Sequence, residues 1–175
     1  MNEWYKDSFR EDYLLVYKHR NMAGAENEIH NVIKWLQIAK DDFILDMCCG
    51  AGRHSIALAK EQFHVVGLDL SKTLLTKAQQ DAGGLLVPFL LGDMRALPFI
   101  DSCFNIVLNL FTSFGYFSTD EENQRVLFEI TRVLKPGGRF ILDYMNPDRI
   151  KKNLIPFSKR DEAGMRVTEE RYIEN

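Results

Sequence analysis

FILDMCCGAGRHSIALAK, residues 43–60, is an apolar run that ends on Asp46, breaks at Gly50-Ala51-Gly52 and resumes with helical spacing. The pattern predicts strand, tight turn and helix. Glycines at such a turn let the backbone curl beneath a ligand, and the start of the following helix offers N–H groups without intrahelical partners. Residues 43–60 therefore predict a cradle for a small ligand, and the flanking chain has to show which one.

Outward from the turn, strand and helix alternate. Upstream, Glu26 to Ala39 carries Ile29, Val32, Ile33 and Leu36 at amphipathic helical spacing. Downstream, HVVGLDL (64–70) reads as a second strand and Ser71 as the N-cap of a helix running to about Gln80. Leu85 to Leu91 is a third apolar run, and Pro88 within it, lacking an N–H, assigns it to a sheet edge. FNIVLNL (104–110) is a fourth strand, Asp120 to Leu134 a helix stopped by Pro136-Gly137-Gly138, and Arg139 to Tyr144 a fifth strand. This alternation predicts an α/β, doubly wound, mostly parallel sheet that binds ligands at the carboxyl ends of its strands. Asp46, Asp69, Asp93 and Asn109 all fall at those ends. The aromatic stretch before residue 24, with Trp4, Tyr5, Phe9, Tyr13 and Tyr17, reads as a cap or lid.

Composition narrows the partners. The 175 residues are 46% apolar and 27% charged, with a net charge of −3, which suits one globular domain and gives no general attraction for phosphate backbones. Arg149 to Lys152 is too short a basic run to change that, so no nucleic-acid partner is expected. No apolar run approaches the roughly 20 residues of a membrane span, and residues 1–10 lack the apolar centre of a secretory signal. A cytoplasmic protein without a membrane partner is expected. The three cysteines and four histidines have no metal-ligand spacing, so no metal site is expected.

Two cofactor types use such a sheet. Gly50, Gly52 and Asp69 satisfy much of a dinucleotide fingerprint, with Ser55 where the third glycine would stand. Asp46 and Asp93 point the other way. An acid just before the glycine turn would repel a pyrophosphate but suits an ammonium and a sulfonium, and an acid after the third strand can accept a hydrogen bond from an adenine amino group.

ILDMCCGAGRHS, VVGLDLS, LLGDMRALPF, NLFTSFGYF and VLKPGGRFILD, taken in order, resemble the motifs of class I S-adenosylmethionine-dependent methyltransferases of the bacterial small-molecule type, over Trp4 to Asn175. The resemblance implies a Rossmann-like sheet of strand order 3-2-1-4-5 with helices on both faces. It also implies S-adenosylmethionine as cofactor, S-adenosylhomocysteine as product and a small-molecule methyl acceptor. Asp46 and the backbone of Cys48, Cys49, Gly50, Ala51 and Gly52 are then expected around the methionine part. Asp69 is expected to hold both ribose hydroxyls with Leu70 against the adenine, and Asp93 to meet the adenine amino group with Met94 close by. Asn109 and Leu110 are expected near the reacting methyl, and Tyr13 and Arg20 over the carboxylate end. Phe114 and Tyr116 are candidates for the acceptor pocket.

Methyl transfer is an in-line displacement that works largely by positioning, and no His/Asp or Cys/His constellation announces a general base; the catalytic residues stay unassigned. Family members run well past 200 residues and end in an antiparallel hairpin beside strand five. The resemblance thus implies that this chain is C-terminally truncated and that the hairpin is missing, with MRVTEERYI (165–173) only the start of a substrate-covering insertion. The expected organisation is one domain over 1–175: cap 1–24, core 25–144, insertion start 145–175. Strand five would be a bare edge, to be covered by the C-terminal tail or by a second copy in a homodimer. An S-adenosylmethionine-binding module or inactive fragment without turnover is the alternative function, and a nicotinamide-dependent oxidoreductase the third.

Overall fold

The computed structural model describes residues 4–9, 11–17, 22–162 and 164–173. Its frame is a five-stranded sheet of order β3-β2-β1-β4-β5, built from β1 (Phe43–Met47), β2 (His64–Asp69), β3 (Phe89–Leu91), β4 (Phe104–Asn109) and β5 (Leu134–Leu142). All four pairings are parallel. Parallel strands covered on both faces are apolar throughout rather than alternating, and ILDM of β1 and IVLN of β4 are buried at every position.

Two cores follow from the two faces. On one side Ile44, Ile106 and Leu108 pack with Ile29 and Val32 of α3 (Met22–Leu36) and with Ala57 and Leu58 of α4 (Arg53–Lys60). On the other, Leu45, Met47 and Val107 pack with Val126, Ile130 and Val133 of α6 (Asp120–Val133) and with Tyr5 of α1 (Trp4–Ser8). α5 (Lys72–Ala82) begins where its sequence predicts, Leu74 N–H donating to Ser71 Oγ over 3.2 Å. Thr119 caps α6 in the same way, and Asp120, Glu121 and Glu122 put negative charge at the positive end of that helix.

The doubly wound sheet and its strand order are as expected, and three details differ. The third strand is shorter, Phe89–Leu91, although it does lie at the edge with Pro88 just outside it. The fifth begins at Leu134, directly after α6, and the pairing skips from Phe104↔Leu134 to Ile106↔Arg139. Pro136-Gly137-Gly138 is thus an irregularity on an outer strand, where a missing N–H costs no ladder bond.

The third difference is that a hairpin is present where none was expected, although it is not the one expected beside strand five. β6 (Phe157–Glu162) and β7 (Met165–Glu170) pair antiparallel as a two-stranded sheet of their own. Beyond Met165 and Val167, FSKRDE and MRVTEE carry little apolar alternation to mark them as strands; cross-strand ion pairs accompany the pairing, Arg160–Glu169 at 2.6 Å and Arg166–Asp161 at 3.0 Å. The hairpin follows α7 (Pro147–Asn153) and does not extend the main sheet. Among the described residues β5 pairs only with β4, so neither the tail nor the hairpin adds a strand to its outer edge.

One ring joins β3 to the glycine turn. A Cβ on Gly52 would stand 2.7 Å from Phe89 Cζ, and one on Gly67 of β2 would stand 2.6 Å from Phe89 Cδ1 and 2.9 Å from Cys49 Sγ. Both glycines are notches for the Phe89 ring. Gly67→Ala is expected to lower stability by about 1–3 kcal/mol through overpacking, measured by urea unfolding; unchanged stability would show that the ring has room to move.

Candidate functional site

A cavity of about 640 Å³ lies at the carboxyl ends of the strands. Its floor is the turn after β1. Cys48 (φ 62°), Gly50 (φ 56°) and Gly52 (φ 75°) take left-handed conformations there, which reverse the chain into α4 within a few residues. The turn is held by Cys49 N–H donating to Leu68 O over 3.0 Å and Gly52 N–H donating to Cys49 O over 2.9 Å.

The acids at the strand ends are each engaged differently. Asp46, 1% exposed, accepts a 2.5 Å hydrogen bond from Ser55 Oγ; burial raises its pKa, opposed by His54, Ser55 and Arg53 nearby. Asp69 accepts Gly50 N–H on Oδ2 and Ser71 N–H on Oδ1, each at 2.8 Å, and burial raises its pKa despite those donors. A carboxylate offers about four lone-pair directions, so acceptor capacity remains on both oxygens. Asp93 is gripped by Arg95, whose Nη2 donates to Oδ2 over 2.6 Å and whose Nε lies 3.1 Å from both oxygens.

The roof is aromatic. α1 and α2 (Glu11–Val16) bring Tyr5, Phe9, Tyr13 and Tyr17 over the cavity. Phe9 lies parallel to Tyr116, with centroids 5.9 Å apart, and Tyr13 packs on Tyr17 at 4.4 Å. The roof is tied down at both ends. Ser71 Oγ donates to Phe9 O over 2.6 Å, and Arg160 of β6 donates to Val16 O over 2.5 Å. Burial pushes the Tyr116 hydroxyl up to about 12, so it stays protonated.

Of the residues singled out in the sequence, Tyr13, Asp46, Cys48, Cys49, Gly50, Ala51, Asp69, Leu70, Asp93, Met94, Leu110 and Tyr116 line this one cavity. Gly52 does not line it, its bare Cα being needed for the Phe89 ring. Phe114 packs against the core cluster and does not line the cavity. Asn109, the last residue of β4, does not line the cavity; it is fully buried, and its side-chain amide meets no protein partner at either Oδ1 or Nδ2. Arg20 falls outside the described residues. Burial raises both thiols, Cys48 and Cys49, well above the ordinary range, which makes them poor nucleophiles. Among the described residues no cluster of His, Cys, Asp and Glu is suited to a metal ion, and no helix is long and apolar enough to cross a membrane.

The sequence reading passed over Arg53 and His54, the first turn of α4. Both line the cavity and both meet one carboxylate oxygen of Glu28 on α3, Arg53 at 2.9 Å and His54 Nε2 at 2.7 Å. Their signal was positional: a helix that opens beneath a ligand turn places its first side chains beside that ligand. Phe111, also missed, lies under the Arg53 guanidinium at 4.0 Å, with φ +60° marking a constrained bend after β4.

Three strand-end acids around a glycine turn, on a sheet of this order, define the class: that of the class I S-adenosylmethionine-dependent methyltransferases. The chain belongs to the methyltransferase domain family, whose model matches residues 44–138. It is 38% identical over 122 residues to the demethylmenaquinone methyltransferase of Lactobacillus johnsonii, covering 65% of this chain and 48% of that one. Its fold is similar to that of an S-adenosylmethionine-dependent methyltransferase from Clostridium acetobutylicum, with a TM-score of 0.72 at 19% identity over 93% of this chain and 66% of the other. It is also similar to the [4+2]-cyclase SpnF, with a TM-score of 0.60 at 28% identity over 66% of this chain and 43% of that one. The chain spans about half the length of the curated relatives it matches.

His54 supplies a pH test. Burial holds its pKa below the usual 6.5, against the pull of Asp46 and Glu28. The unfolded chain then binds the proton more readily than the folded one, so this group costs stability as pH falls below about 6.5 toward the lower folded value. His54→Gln keeps a donor for Glu28 but cannot titrate. Its Tm should therefore fall less than that of the unsubstituted chain between about pH 7.5 and about pH 5.5; parallel Tm curves would contradict a buried neutral imidazole.

Proposed function

We propose that this chain binds S-adenosylmethionine in the cavity and directs its methyl group to a small aromatic acceptor. The reading rests on one observation above all: Asp46, Asp69 and Asp93, from three neighbouring strand ends, line a single cavity around the left-handed turn. Residues and cofactor suit each other chemically. Asp69 has lone pairs to spare for two ribose hydroxyls, Asp93 is an acceptor for an exocyclic amine, and Asp46 stabilises positive charge above the turn. A dinucleotide suits the site poorly, because Asp46 stands where a pyrophosphate would lie and Gly52 is occupied by Phe89 packing.

When bound, the cofactor supplies an electrophilic methyl on sulfur and a neutral thioether leaving group. The chain's contribution is placement. Asp69 and Asp93 fix the nucleoside, the Cys48–Ala51 backbone supports the amino-acid end, and Tyr13, Tyr17 and Tyr116 close over the reacting region and exclude water. The rings of Phe9, Tyr116 and Phe117 favour a flat, uncharged acceptor, in keeping with a relative named for a menaquinone precursor. A second reading, cofactor binding without methyl transfer, has one observation in its favour: a structural neighbour of this chain is named as a cyclase. The open edge of β5 supports a further proposal, a homodimer paired there, which sedimentation would detect as a doubled mass.

In calorimetric titration S-adenosylhomocysteine should bind, a nicotinamide dinucleotide should not, and Asp69→Ala should weaken the former at least about tenfold. Unchanged affinity in that variant would refute the assignment of Asp69. Incubation with labelled S-adenosylmethionine and a panel of hydroquinones, phenols and aliphatic amines then separates the two readings. Label in a hydroquinone or phenol supports methyl transfer to an aromatic acceptor; binding with no label transferred supports the second reading.

A further inference from the structure

Arg95 makes more directional contacts at the site than any role considered so far requires. Its backbone N–H donates to Asp93 Oδ1 over 2.8 Å while Nε and Nη2 fork onto the same carboxylate. Its third nitrogen, Nη1, donates to Glu122 in the first turn of α6 over 2.5 Å. The plane of the guanidinium lies over the Phe117 ring, 4.3 Å from the centroid. Phe117 in turn meets Tyr5 of the roof edge-on at 5.4 Å. Both partners of the fork are largely shielded, the Arg95 side chain 20% exposed and Asp93 28%.

Three N–H groups of Arg95 hold the Asp93 carboxylate, and Glu122 and Phe117 hold Arg95 in turn, which leaves the carboxylate little freedom. A carboxylate on a free side chain can rotate to present an oxygen to a donor or withdraw from an acceptor, so it discriminates weakly between an amine and a carbonyl. A carboxylate pinned by a fork cannot withdraw, and a carbonyl oxygen facing it meets like partial charge with no compensating bond. Lysine at this position would keep the charge but not the fork.

We propose that Arg95 is the positioning residue that sets base selectivity at this site, by fixing Asp93 so that it accepts from an amino-purine and rejects an oxo-purine. The proposal rests on the reading of the cavity as an S-adenosylmethionine site with Asp93 at the base. It goes beyond that reading by assigning the selectivity to a residue that need not touch the ligand.

The test is competitive binding of S-adenosylhomocysteine and S-inosylhomocysteine, identical except for the amino or oxo group on the purine. The unsubstituted chain should prefer the adenosyl compound by at least about tenfold. Arg95→Met and Arg95→Lys should each bring the ratio below about threefold, the lysine variant showing that charge without the fork is insufficient. Asp93→Asn, whose amide both donates and accepts, should also abolish the preference. Melting curves confirm that each variant is folded, and if Arg95→Met is not, Arg95→Lys carries the comparison. A tenfold preference that survives in the Arg95 variants while vanishing in Asp93→Asn overturns the role of Arg95 alone. A preference unchanged in all three variants, or no binding by the unsubstituted chain, overturns the reading of the base site and this proposal with it.

Discussion

One carboxylate ties the site together. Asp69 ends β2, yet its two oxygens hold the Gly50 N–H of the turn after β1 and the Ser71 N–H at the start of α5. Ser71 then caps α5 with the hydroxyl oxygen that also anchors the roof through its donation to Phe9 O. Two strand-to-helix turns and the aromatic cover therefore share a single ion as their reference point. Such a carboxylate is costly to bury, and the raised pKa shows that the cost is only partly offset by its N–H donors. A group kept at that cost, with acceptor capacity facing a cavity, is what a polar ligand requires.

The surrounding fold serves to keep that reference point still. β1 and β2 are buried on both faces, and the Phe89 ring fills the notches at Gly52 and Gly67, locking the turn against the edge strand. On the opposite side of the cavity Arg95 bridges Asp93 to α6 and to Phe117. The cavity therefore has a rigid floor and a roof made of short helices pinned by single hydrogen bonds at Phe9 and Val16. That division suits a site that must hold one ligand in a fixed pose and admit a second.

Much of this was legible in the sequence, for physical reasons. Buried parallel strands leave apolar runs, and polar residues at their ends stand out against them, which is why the strands and the acids at their ends could be named in advance; the strand order and the remaining cavity residues came from the family resemblance. Gly52 has a second use that the sequence did not show, because a glycine needed for close packing and one needed beneath a ligand look the same in one dimension. Residues 165–173 were expected to begin an antiparallel insertion, but their pairing with 157–162 was not foreseen, because it is accompanied by cross-strand ion pairs more than by apolar alternation. Arg53, His54 and Arg95 were passed over for a related reason: Glu28 and Glu122 are brought to them by tertiary structure, and the contact of Arg95 with Asp93, two residues away, shows only once the turn after β3 is folded.

Asp69 is proposed to hold the ribose of an S-adenosyl ligand while it holds the turn and the helix. A crystal structure of the chain grown with S-adenosylhomocysteine tests this most directly. Both ribose hydroxyls should lie within hydrogen-bond distance of the Asp69 carboxylate, with the Gly50 and Ser71 N–H bonds retained. A ligand seated elsewhere, or bound in the cavity with Asp69 meeting only protein, would contradict it.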